Sequence, residues 1–91
     1  MGPVESKIKD KIINAFSPDV LEIKNDSEKH RGHAGYDGTG ESHFRITIVS
    51  ESFVDKSRID RYRMIHDTLE EEHKTVHSLA FTLKTPAEYQ P

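Results

Sequence analysis

The chain has no cysteine and no tryptophan among its 91 residues. Without cysteine it forms no disulfide, offers no thiolate to a metal and has no sulfur nucleophile, so chemistry of that kind has to be borrowed from a partner. No stretch approaches the roughly 18 apolar residues of a membrane-spanning helix. The opening MGPVESKIKD lacks both the apolar core of a secretory signal and the arginine-rich, acid-poor character of a transit peptide, and an intracellular protein with no membrane association is expected. Excess positive charge is missing too. Thirteen Lys and Arg against sixteen Asp and Glu leave a formal charge of -3, which speaks against general nucleic-acid binding, where affinity comes largely from neutralised phosphates. No nucleophile stands beside an evident activating base, and no phosphate-cradling loop joins a strand to a helix, so an enzyme is not expected.

What is present suits one small domain over residues 1–91, because a second core would leave both halves too small to exclude water. Hydrophobic residues make up 33% and charged residues 32%, a balance short of the regime of disorder. Val4, Ile8, Ile12 and Phe16 recur at helical spacing, with Pro3 in the first turn and Ser17-Pro18 as the stop. Val20 to Asn25 reads as a short strand. His43 to Val49 alternates, with Phe44, Ile46 and Ile48 on one side, and reads as a second. Ser57 is an N-cap for a second helix carrying Ile59, Tyr62, Ile65 and Leu69 and ending near His73. Val76 to Leu83 reads as a third strand, and Thr85-Pro86-Ala87-Glu88 has the form of a capping box. The expected fold is α+β in the order α-β-β-α-β-α. Strands two and three are expected to be parallel in a three-stranded mixed sheet, with both helices on one face.

Four of the five glycines fall between Asp26 and Glu41, a 16-residue connection that also carries His30 and His33. Connections beyond roughly 12–15 residues are usually functional or disordered, and composition alone leaves the two readings balanced. Paired histidines are borderline-metal ligands, but a closed zinc site needs four donors, and this chain would have to recruit carboxylates such as Asp26 or Glu28. His77 shares strand parity with Leu79, Phe81 and Leu83, so it interrupts an apolar set. A core-edge histidine bonded to backbone is the commoner explanation; a ligand at the strand mouth is the other. His43 and His66 read as structural or surface residues, and so does His73, at a helix C-terminus that favours a protonated ring. Arg58, Arg61 and Arg63, with Lys56, form the only basic patch, which reads as a solvated helix face or a docking surface for an acidic partner. Gly35-Tyr36-Asp37-Gly38 matches the GxxG of KH domains in letters only, since it falls within a hairpin.

Taken together, several segments resemble the BolA-like proteins over nearly the whole chain. They are Gly2-Pro3-Val4-Glu5, Ser17-Pro18, Glu41-Ser42-His43-Phe44, Val49-Ser50 with Phe53, Arg61-Tyr62-Arg63-Met64-Ile65-His66, Val76-His77-Ser78-Leu79-Ala80 and Thr85-Pro86-Ala87-Glu88-Tyr89. The resemblance implies a fold related to the class II KH domain. It also implies partnership with a monothiol CGFS glutaredoxin in a heterodimer that holds a bridging 2Fe-2S cluster and assembles or moves such clusters, in the mitochondrial matrix or the cytoplasm. The isolated chain would be a monomer and bind no cluster; glutaredoxin and glutathione would supply thiolate, and this chain imidazole. By the family pattern the candidate metal ligands are His77 and His30, with His33 as a substitute for His30; the basic patch of Arg58, Arg61 and Arg63 is the expected partner-binding surface. A KH-like nucleic-acid-binding or transcriptional module is the alternative. Many relatives have glycine at the position of Asp55 and histidine at that of Tyr62, departures that further weaken nucleic-acid binding through the helix-two surface.

Overall fold

A computed structural model describes residues 2–26, 43–76 and 78–89. Helix α1 runs over Pro3–Phe16, with proline in its first turn, where no amide hydrogen is needed. It buries Ile8, Ile12 and Phe16 and stops at Ser17, whose left-handed backbone (φ 43°) lets its N–H reach the Ile13 carbonyl. Strand β1, Val20–Asn25, pairs antiparallel with β2, His43–Val49. Strand β3, Ser78–Lys84, pairs parallel with the other edge of β2, giving the order β1-β2-β3.

Phe44, Ile46 and Ile48 of β2 meet Ile8, Ile12, Phe16, Phe53, Ile65 and Leu69 in one apolar cluster, which Leu21, Ile23, Leu79, Phe81 and Leu83 flank. The helices therefore cover one face of the sheet, as expected. Glu22, Lys24, Arg45, Ala80 and Thr82 are exposed on the opposite face. The alternation expected in the third strand is present, with Leu79, Phe81 and Leu83 partly buried and Ser78, Ala80 and Thr82 exposed.

The second helix departs from expectation. It comprises α2, Arg58–Thr68, and α3, Glu70–Thr75, separated at Leu69 (φ -110°, ψ 31°). Leu69 is fully buried, and the bend at its position lets α3 turn Glu72 toward α1 and carry Val76 into the core. Val76 is consequently the C-cap of α3, and β3 begins two residues later than the expected Val76. The expected stripe is also only half right. Ile65 and Leu69 are buried, whereas Ile59 is 64% exposed and Tyr62 is exposed, because the first half of α2 lies along the free edge of β3 rather than over the sheet.

Three polar ties fix the helices. Glu72 is 4% exposed, and both its carboxylate oxygens lie 3.0 Å from Lys11 Nζ, which joins α3 to α1. The buried Ser50 hydroxyl donates to the Phe16 carbonyl at 2.6 Å and accepts from the Ser52 N–H, locking the end of α1 against the turn after β2. Ser57 caps α2 by accepting from the Asp60 N–H at 3.1 Å. Asp55, just before that cap, has φ 62°, a conformation glycine adopts without steric cost and aspartate tolerates.

Two stability outcomes are expected. Lys11→Met leaves the Glu72 carboxylate buried without its cation and lowers unfolding free energy by about 1–3 kcal/mol in urea titrations, while adding Glu72→Met restores much of the loss. Asp55→Gly is tolerated, but Asp55→Val costs about 1–2 kcal/mol because a branched Cβ clashes at positive φ.

Candidate functional site

Two places on the molecule are candidate sites, and the sheet topology sets both. The first is the sheet end where β1 finishes and β2 and β3 begin. The Asp26 N–H donates to the His43 carbonyl at 2.9 Å, closing the ladder between β1 and β2 at that end. The Asp26 carboxylate pairs with Arg45, so it is committed to the hairpin base. His43 in turn stands opposite Ser78, the first residue of β3. Its ring belongs to a buried residue, as a structural role requires. His30, His33, His77 and Glu28 lie outside the described residues. Their chain neighbours do not: Asp26 and His43 bracket the glycine-rich segment, Val76 and Ser78 bracket His77, and all four gather at this one end. Among the described residues no three His, Cys, Asp or Glu side chains are grouped to hold a metal ion.

The second place is the cleft between the start of α2 and β3, about 550 Å³ in volume, lined by Lys56, Arg58, Arg61, Tyr62, Lys84 and Glu88 among others. It separates the three arginines expected to act together. Arg58 is exposed, and Arg63 is 76% exposed, with only a 3.8 Å approach to Asp60. Arg61 is 13% exposed and is used internally: its Nε donates to the Lys56 carbonyl at 3.0 Å, and its terminal nitrogens donate to the Leu83 carbonyl at 3.2 Å and to Glu88 at 2.7 and 3.3 Å. It also lies 5.9 Å from the Phe53 ring centroid. Glu88 serves twice, since its carboxylate accepts from the Thr85 N–H at 2.8 Å while the Thr85 hydroxyl accepts from the Glu88 N–H at 3.2 Å, completing the capping box. The Arg61 hydrogen bonds, aided by the Thr85 N–H, hold the Glu88 carboxyl down to about 2.

Along β3 the Lys84 carbonyl accepts from Ser50 on the β2 side, so the carbonyls of Leu83 and Phe81 fall alternately on the free edge. Arg61 bonds the first of these, and the Tyr62 hydroxyl donates to the second at 2.9 Å. Beyond Tyr62 an apolar groove of about 390 Å³ continues past Ile59, Leu79 and Phe81 to His66 and His73. Those two rings stack with centroids 4.6 Å apart, and His73 Nε2 is buried with no hydrogen-bond partner. Burial first, then the neighbouring His66, lowers the His73 pKa, with Glu72 opposing. The shift runs against the protonated ring expected of a helix C-terminus, and its largest cause is burial. No local pattern announces the Arg61–Glu88 tie across 27 positions; the Thr85–Glu88 capping box was its only visible half.

The profile of the family described as BolA-like protein matches residues 12–88. BolA-like protein 1 of Mus musculus is 43% identical over 90 residues, which are 98% of this chain and 63% of that protein, so the chain spans just under two thirds of that relative. The DNA-binding transcriptional regulator BolA of Escherichia coli is 38% identical over 88 residues, 96% of this chain and 80% of that one. Among solved structures, the BolA domain of SufE1 from Arabidopsis thaliana superposes with a TM-score of 0.85 at 39% identity, covering 98% of this chain and 99% of that domain.

The lowered Glu88 carboxyl carries a pH signature. A carboxyl depressed in the fold contributes stability that is fully present above its ordinary value of 4.5 and fades as pH falls toward about 2. Wild type is therefore expected to be more stable than Glu88→Gln at pH 7, with the two thermal midpoints converging by pH 2. Because Glu88 is half exposed, added salt narrows the gap at neutral pH.

Proposed function

The chain belongs to the BolA-like family, and from that premise we propose that it is a non-enzymatic adaptor in iron-sulfur cluster assembly or trafficking. It binds a monothiol CGFS glutaredoxin and contributes imidazole to a bridging 2Fe-2S cluster. The free chain is a monomer, the working species is the heterodimer, and its compartment is the mitochondrial matrix or the cytoplasm. One observation carries this reading: the residues bracketing the loop of His30 and His33 meet those bracketing His77 at one end of the sheet. That convergence supports two donors acting on one ion. The donor chemistry agrees, since a chain without cysteine has imidazole and not thiolate to offer, which suits a centre whose sulfur comes from a partner.

When bound, the cluster would supply an electron-transfer or transferable iron-sulfur unit, with sulfur ligands from glutaredoxin and glutathione. The part of this chain is to present neutral ring nitrogens from His77 and from His30 or else His33. The Asp26–Arg45 pair and the Asp26–His43 bond hold the hairpin base from which that loop departs. Of the three arginines of α2, Arg58 and Arg63 face outward and are the ones left for contact with the partner, while Arg61 ties the helix to Leu83 and Glu88.

A second reading, a nucleic-acid-binding regulatory module, is favoured by the name of the Escherichia coli relative and by the cations of the cleft. The net charge of -3 weighs against it. Duplex binding with a steep salt dependence would support it, and no binding at moderate salt would end it.

Mixing the chain with cluster-loaded CGFS glutaredoxin is expected to change the visible absorption and circular dichroism of the cluster. His77→Ala should abolish that change, and His30→Ala and His33→Ala tested separately should identify the loop donor. Spectra equal to the sum of the two proteins, or unaffected by His77→Ala, would contradict the adaptor reading.

A further inference from the structure

We propose that the cleft between α2 and β3 is a docking site for a short acidic segment of a partner protein, with a bulky apolar side chain of that segment seated in the adjoining groove. The inference rests on the adaptor reading only for which protein supplies the segment. The cleft itself argues from charge. Lys56, Arg58, Arg61 and Lys84 line it against the single carboxylate of Glu88. Arg61 and Glu88 satisfy one another, which leaves Lys56, Arg58 and Lys84. Among the described residues none of these three forms an ion pair. A chain whose net charge is -3 therefore gathers, in one cleft, three cations that have no ion-pair partner among the described residues. Cations so placed repel one another, and a complementary anion relieves that repulsion.

The shape narrows the ligand class. Tyr62 and Phe81 line both the charged cleft and the apolar groove, so the two form one track along β3 from Lys84 back to Leu79. At roughly 3.3 Å per residue that track spans about five extended residues. Its first part matches carboxylates, and its second, walled by Ile59, Leu79 and Phe81, matches one bulky apolar side chain. Ile59, 64% exposed, is an apolar residue that the fold itself does not bury.

A nucleic-acid strand fits less well. Lys56, Arg58 and Lys84 line one cleft in a chain whose net charge is -3, so they match a short anionic run and not a continuous phosphate backbone. The track runs toward the start of β3, next to His77 in sequence, so a partner engaged at that sheet end has its neighbouring segment within reach of the cleft.

The test uses the full chain and a synthetic hexapeptide of glutamates with one central phenylalanine, followed by NMR amide shifts at 50 and 500 mM salt. The peptide is expected to perturb Lys56, Arg58, Tyr62, Phe81 and Lys84 and to bind more weakly at high salt. The triple variant Lys56→Glu, Arg58→Glu, Lys84→Glu should weaken binding roughly tenfold or more. It should keep the wild-type urea midpoint, because it removes no intramolecular ion pair. Equal binding by the variant, or shifts elsewhere on the surface, would overturn the proposal. So would a 20-base-pair DNA duplex that occupies the cleft when the peptide does not. This titration contains neither glutaredoxin nor cluster, so it judges the cleft alone, whereas the His77→Ala spectra judge the adaptor reading alone.

Discussion

Strand β2 is hydrogen-bonded along both edges and buried on one face, and the positions of the other elements follow from its register. Phe44, Ile46 and Ile48 face the helices, so a shift by one residue would turn all three to solvent. That penalty pins β1 antiparallel on one side and β3 parallel on the other. Because β1 runs opposite to its neighbours, its end and their beginnings share one rim of the sheet. The described ends of the long hairpin connection and of the chain leading into β3 are thereby brought to one rim by the pairing of the sheet.

The cleft between α2 and β3 comes from the same constraint. A parallel β2–β3 pair needs a crossover, and the crossover here is α2 and α3 with their bend at Leu69. The bend lets α3 deliver Glu72 to Lys11 while α2 runs beside the edge of β3. Space between helix and edge is what makes the cleft, and the Arg61–Glu88 pair braces it by tying α2 to the turn after β3. One end of the sheet thus gathers the chain neighbours of three histidines, and the other end opens beside the cations of the cleft.

The sequence disclosed those parts of the molecule where local pattern and burial agree. Period-two alternation marked β2 and β3, and Thr85 with Glu88 spelled out a capping box that the structure contains. Helical periodicity marked α1 but misjudged α2. Ile59 and Tyr62 satisfy the spacing of a buried stripe, yet that half of the helix has no sheet beneath it. In sequence Arg61 looks like Arg58 and Arg63, because the partners that set it apart lie 22 and 27 positions away. The helix end at His73 favours a charged ring, whereas burial and the stacked His66, neither visible locally, lower its pKa. Asp55 holds a positive φ of 62°, where glycine would be free, and no pattern in the surrounding sequence announces it.

The edge of β3 bears on how the protein behaves when crowded. An open strand edge invites a second copy to add its own strand, the first step toward sheet-like aggregates. Here the outward carbonyls of Phe81 and Leu83 already accept from Tyr62 and Arg61, so an incoming strand would have to displace a phenol and a guanidinium before forming its ladder. The same side chains that shape the cleft therefore act as a guard, steering encounters at this edge toward recognition by side chains and away from backbone pairing.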